Sequence, residues 1–137
     1  MGSRGKFEDS GLTGISPELR EYSEVGRIDG HKVLKWDVGD NNRTPVYANT
    51  PDTVYYSYST TDRRIERILF YEEHRLVRSI DMEDMRHPAH AHKWSHAGMQ
   101  VGRTAHSKKN IFELSRKDMT FYNKAKKWND EHRKKQV

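Results

Sequence analysis

Three successive stretches between Thr53 and Asp81 read as β-strands, and they constrain the fold more than any other feature of the chain. Residues 53–59 are β-branched and aromatic. Val54, Tyr56 and Tyr58 fall on one face, because successive strand residues point to opposite sides. Ile65, Ile68 and Leu69 would also suit a helix face. The compact run Ile68-Leu69-Phe70-Tyr71, closed by the polar Glu72-Glu73-His74, favours a hairpin of 64–71 with 75–81 instead. In its second arm Leu76 and Ile80 share one face with Arg78 between them, while Val77, Ser79 and Asp81 take the other. A further strand is expected over 31–38 around Val33, Leu34 and Trp36, followed by a turn at 39–42 and a weak strand at 45–48. Residues 110–114 add a short strand or lead into a helix.

The C-terminal segment changes period. Phe121, Ala125, Trp128 and His132 recur at helical spacing, which predicts a helix over about 116–132. Ser115 with Asp118 forms the looser version of a capping box at its start. The expected architecture is therefore α+β: a small antiparallel sheet of about four strands with the C-terminal helix packed on one face. The domain spans 23–132, between a flexible Gly- and charge-rich N-terminal arm (1–22) and a basic tail (133–137).

Such a domain has little to build a core from. Apolar residues are 33% of the chain and charged residues another 33%, so the burden falls on three Trp, seven Tyr and four Phe. The absence of cysteine excludes disulfides, thiolate metal sites and cysteine nucleophiles, and fits a reducing compartment. No apolar run reaches the roughly 20 residues of a membrane span, and Lys6 spoils the myristoylation pattern that Met1-Gly2 begins. The expectation is a cytoplasmic protein of the host cell with no membrane partner. A net charge of +5 and a pI near 9.4 favour phosphate-bearing partners, RNA or other nucleic acid.

Chemistry concentrates after the hairpin. Five of the eight histidines, His87, His90, His92, His96 and His106, follow Asp81 within 25 residues, in what reads as a long ordered loop with Pro88 and Trp94. Histidine both transfers protons near neutrality and ligates metals. In metal-free cleavage of an RNA phosphodiester, His90 or His92 serves as base or acid and His87 or His96 as the second proton-transfer group. Arg78 stabilises the phosphate, and Asp81 orients an imidazole. Trp94 stacks on a base, and Lys93, Arg86 and Lys35 are further substrate contacts. In a loop, His90 and His92 are expected on opposite sides of the chain, so that both reach one phosphate only through a local turn. No cofactor is needed in this reading. The alternative uses zinc or another divalent ion, with His90, His92, His96 and either Asp81 or Glu83 as ligands. The spacing matches neither the His-Glu-x-x-His nor the His-Asn-His signature. Histidines that merely bond backbone carbonyls are the structural alternative to both. The aromatic ladder Tyr55, Tyr56 and Tyr58 reads as core and sheet surface, and Lys124, Lys126 and Lys127 as a solvated helix face.

The hairpin ending Ile80-Asp81, followed by His87-Pro88-Ala89-His90-Ala91-His92-Lys93-Trp94-Ser95-His96, resembles a pattern shared by small phage and prophage proteins encoded beside head-morphogenesis genes. The pattern recurs in His-rich C-terminal domains of phage minor head proteins and of bacterial polymorphic toxins. Some of these are grouped with the barnase/EndoU/colicin/RelE-like ribonucleases. The Gly-rich opening Met1-Gly2-Ser3-Arg4-Gly5 is similar to theirs as well. The likeness covers about 30–100 and departs at Ala89, where the family often has Pro. It implies a small α+β ribonuclease-like domain and carries roles to His90, His92 and Asp81. The rival is a non-enzymatic phage accessory protein that binds a host defence factor, nucleic acid or a head component; its histidines would tolerate substitution.

Overall fold

The computed structural model describes residues 22–36, 48, 50–94 and 111–135. Seven strands and one helix follow one another along the chain: β1 (Tyr22–Ile28), β2 (His31–Trp36), β3 (Thr53–Ser59), β4 (Arg64–Glu72), β5 (Arg75–Asp81), β6 (His90–Lys93), β7 (Ile111–Phe112) and α1 (Arg116–Lys135). They form one sheet whose spatial order is the sequence order. Every neighbouring pair is antiparallel except β2 with β3, which run parallel.

The class is α+β as expected, but the sheet is neither four-stranded nor purely antiparallel. The expectation failed where the alternation is faint. In β1, Glu24, Gly26 and Arg27 interrupt the pattern, and most of its residues are half-buried or exposed. The four residues of β6 contain a single apolar side chain, Ala91, and β7 is only two residues long. A parallel β2–β3 pair needs a long connection, and residues 37–52 supply it. The Asp29-Gly30 turn was a legible signal for the β1–β2 hairpin: both residues have positive φ (51° and 84°), as a tight two-residue turn requires. Glu73 and His74 (φ 51° and 68°) close β4–β5 in the same way. The expected weak strand at 45–48 lies outside the described residues except for buried Ala48, whose N–H donates to the His74 carbonyl (2.9 Å). Tyr22, placed at the end of the arm, is a buried core residue.

The register lays side chains in rows across the sheet. One row runs Val33, Tyr56, Ile68, Ile80, Ala91, Phe112, and it faces the helix. Ala125 and Trp128 of α1 complete that core, which bears out the apolar stripe read from the sequence. The next row runs Leu34, Ser57, Arg67, Asp81, His90 on the other face. There Tyr22, Leu34, Tyr55, Leu69, Tyr71 and Leu76 form a second cluster, with Trp94 packed against it.

The helix is held at both ends. At its start Ser115 and Asp118 cap each other reciprocally: the Asp118 N–H donates to Ser115 Oγ (3.1 Å) and the Ser115 N–H to Asp118 Oδ2 (2.9 Å). The Arg78 guanidinium grips both Asp118 oxygens, with Nε to Oδ1 at 3.1 Å. Nearer its end the Asn129 amide reads the β4 backbone, accepting from the Ile65 N–H (2.7 Å) and donating to the Ile65 carbonyl (3.0 Å). Burial pushes the Asp118 carboxyl up, but the Arg78 guanidinium and the Ser115 N–H hold it below the usual range. Asp118→Ala removes the cap and leaves Arg78 half-buried without its partner, so we expect a loss of about 2–4 kcal/mol in denaturant unfolding. Because the folded-state pKa is depressed, this contribution is complete above the ordinary aspartate value, about 4. It disappears as pH falls through the folded value. In Asp118→Asn that part of the acid dependence should vanish.

Candidate metal centre

The turn after β5 is built to bring the chain straight back. Asp84 Oδ1 accepts the backbone N–H groups of Arg86 and His87, each at 2.7 Å, and the Asp84 N–H donates to the His87 carbonyl (2.9 Å). This side-chain-to-backbone turn is what a short aspartate favours. The chain re-enters the sheet as β6 at His90, directly opposite Asp81, with His92 opposite Ser79. The stretch read as a loop is thus partly a strand. Residues two apart on a strand share a face, so His90 and His92 point the same way, not to opposite sides. No local turn is needed to bring them together.

Three donor atoms converge there. Asp81 Oδ2 lies 3.2 Å from His92 Nε2 and 3.5 Å from His90 Nε2. The ligand atoms of the three residues are all within 4.8 Å of one another. The two rings meet edge to face, with centroids 4.8 Å apart. The outer shell is also organised. His90 Nδ1 is 2.8 Å from the Pro88 carbonyl, which can only accept, so Nδ1 carries the proton. In neutral His90, Nε2 is then a bare lone pair facing a carboxylate oxygen. That repulsion is relieved by a second proton on the ring or by a cation between the two atoms. Arg67 Nε donates to Asp81 Oδ1 (3.0 Å), leaving Oδ2 to the imidazoles. Burial raises the Asp81 pKa, but the His92 hydrogen bond and the charges of Arg67 and both imidazoles outweigh it and bring it to about 2. The carboxylate is therefore ionised at any working pH. Side-chain exposure is 17% for Asp81, 16% for His90 and 3% for His92, and both ring nitrogens of His92 are shielded from solvent.

Comparison with protein-family models, with curated proteins and with solved structures found no match for this chain.

The remaining candidates divide between the two faces. Arg78 stands on the helix face and is committed to Asp118, so it is separated from the imidazoles it was expected to assist. Lys93 is on that face too, its ammonium 4.8 Å from the Phe112 ring centre. Glu83 accepts from the Tyr122 hydroxyl (2.8 Å) and is no part of the cluster. Trp94 shares the histidine face, but its indole N–H donates to Ser79 Oγ (2.8 Å) and its ring packs on the core. Arg86 and His87 are exposed on the turn. The His87 ring centre is 6.2 Å from that of His90, and its Nδ1 is 3.5 Å from Asp84 Oδ1. Lys35 belongs to a cleft elsewhere, described below. His96 lies outside the described residues.

Arg67 is the site residue that sequence reasoning missed. The 73–74 turn alone would set Glu66 opposite Asp81. A register shift between Phe70 and Tyr71 advances the pairing by one and brings Arg67 there instead. Such a bulge reverses which face a residue occupies, and no residue in the run announces it. The geometry makes a spectroscopic prediction: in alkaline solution, where imidazoles are neutral, metal-free protein should show His90 as the Nδ1–H tautomer in long-range nitrogen–proton correlation spectra. An Nε2–H tautomer at His90 would contradict the Pro88 contact.

Among the described residues, no helix is long and apolar enough to cross a membrane.

Proposed function

We propose that Asp81, His90 and His92 hold one divalent transition-metal ion, zinc by preference, and that the protein uses it to hydrolyse RNA phosphodiester bonds. The observation that supports this most is the convergence of the three donor atoms. A tetrahedral zinc with ligands at 2.0–2.2 Å has neighbouring ligands about 3.3–3.5 Å apart; the two oxygen–nitrogen separations are 3.2 and 3.5 Å. Two imidazoles and a carboxylate suit zinc and its neighbours, and three protein ligands leave a position for water. The outer contacts fit the same reading. Pro88 fixes the tautomer that offers Nε2, and Arg67 occupies the carboxylate oxygen that would not ligate.

The competing dyad geometry is poorly served at His90 itself. A general base needs one ring nitrogen oriented and the other free for substrate. At His90 one faces the Pro88 carbonyl and the other faces Asp81. A metal held by Asp81, His90 and His92 would supply a water of lowered pKa as the nucleophile toward phosphorus. His87, exposed beside the cluster, would give the departing oxygen its proton. The basic surface charge and the likeness of the Asp81 to His96 stretch to ribonuclease-group domains support RNA as the substrate.

One observation favours a second, metal-free reading. His87 is exposed, sits against both Asp84 and His90, and offers a phosphate an imidazole that is not one of the three converging donors. The experiment separates the two. Metal-stripped protein titrated with zinc in a calorimeter should bind one ion, with affinity falling at least 10-fold in each of Asp81→Ala, His90→Ala and His92→Ala, and with circular dichroism reporting the fold. RNA cleavage should stop in EDTA and return with zinc. Cleavage that persists in EDTA and is lost in His87→Ala would transfer the site to the metal-free reading. Zinc binding undiminished in all three variants would remove the metal from this place.

A further inference from the structure

The sheet's other face carries a cleft that the metal centre does not use. It has a volume of about 490 Å³ and opens between the β1–β3 end of the sheet and the last turns of α1. Trp128 forms its floor. One side of the indole stacks on His132 (centroids 3.5 Å apart, planes 17° apart) and its edge meets Tyr58 (5.8 Å, 77°). Gly26 lies so close to the indole that a Cβ there would sit 3.4 Å from Nε1, so the ring's position is fixed from below. Tyr58 and His132 are only half-buried and leave ring surface toward the cleft.

Charge distinguishes this cleft from its neighbour. The rim carries Lys35 and Arg63, and no carboxylate lines it. Neither cation pairs with a carboxylate among the described residues, although cations elsewhere on the surface do: Arg27 with Glu24, Lys124 with Asp29, Arg133 with Asp130. The adjoining cavity of about 310 Å³ shares Arg63 but has carboxylates of its own, Asp62, Glu83 and Asp130, beside its four cations. Arg63 holds its place at the β3–β4 turn in the left-handed region (φ 55°) and is exposed.

We propose that this cleft binds a nucleoside phosphate, with the base against Tyr58 and His132 and the phosphate between Lys35 and Arg63. Planar π-surface and unpaired cations at one lip match the two halves of such a ligand. Stacking tolerates any base, while the cations select the phosphate. The ligand is either a free nucleotide or one unit of a single strand. The site is independent of the metal reading, since its residues belong to the opposite face of the sheet.

The test uses the full chain and three probes: fluorescein-labelled hexauridylate, uridine monophosphate and inorganic phosphate. Wild type should bind the hexamer by fluorescence anisotropy. A Lys35→Ala/Arg63→Ala double variant and, separately, Tyr58→Leu should each weaken binding at least 10-fold. All binding is read in EDTA, where the proposed metal centre would not consume the hexamer. Displacement of the hexamer by uridine monophosphate at concentrations where inorganic phosphate has no effect identifies a free nucleotide as sufficient. Binding of the hexamer without displacement by the mononucleotide assigns the cleft to single strands. The proposal is overturned if wild type binds no probe, if the Lys35/Arg63 variant binds the hexamer unchanged, or if inorganic phosphate competes as well as the nucleotide.

Discussion

The antiparallel pairing of β5 with β6 is the contact on which the proposed metal centre depends. It is only four residues long, yet its register sets Asp81 against His90 and Ser79 against His92. A slip of one residue would turn both imidazoles toward the helix and bury Ala91 on the wrong side. The register is protected from both faces. Ala91 is fully buried in the helix-side core between Ile80 and Phe112, and Trp94 reaches back to bond Ser79. The Asp84 turn fixes the length of the connection. Core packing, turn chemistry and site geometry are thus one constraint seen from three sides.

The sheet separates two kinds of work. Its helix face is apolar along the central row and is locked by Arg78 and Asp118 at one end of α1 and by Asn129 at the other. Its opposite face carries a polar row, Ser57, Arg67, Asp81 and His90, beside an aromatic cluster that shields it. Arg67 satisfies one oxygen of the Asp81 carboxylate, and a ring proton or a cation between the other oxygen and the imidazoles would satisfy the rest. The same arrangement keeps Asp81 ionised and fixes which lone pairs face inward. A lean core has room for this, since large aromatic side chains rather than many aliphatic ones supply the buried area.

Much of this was legible in the sequence, and the exceptions have physical causes. The β3–β4–β5 run, the capping box at Ser115 and Asp118, and the Phe121, Ala125, Trp128 stripe all stand out because local pattern and tertiary role agree. That Asp81, His90 and His92 belong together was visible from their clustering. Their spatial relation was not, because a strand with one alanine among two histidines and a lysine has no apolar alternation to detect. Arg78 was chosen for its nearness in sequence, although strand alternation already put it on the face opposite Asp81; the register shift brings Arg67 to the carboxylate instead. β1 was hidden by Glu24, Gly26 and Arg27, residues that suit an edge strand and a close approach to Trp128.

The measurement that most directly tests the account is X-ray absorption at the zinc edge on protein loaded with one equivalent of the metal. Zinc held by Asp81, His90 and His92 should give a four-coordinate first shell at about 2.0–2.1 Å with the multiple-scattering signature of two imidazoles, reduced to one imidazole in His90→Ala. A six-coordinate oxygen shell without imidazole scattering, or a spectrum unchanged by that substitution, would contradict it.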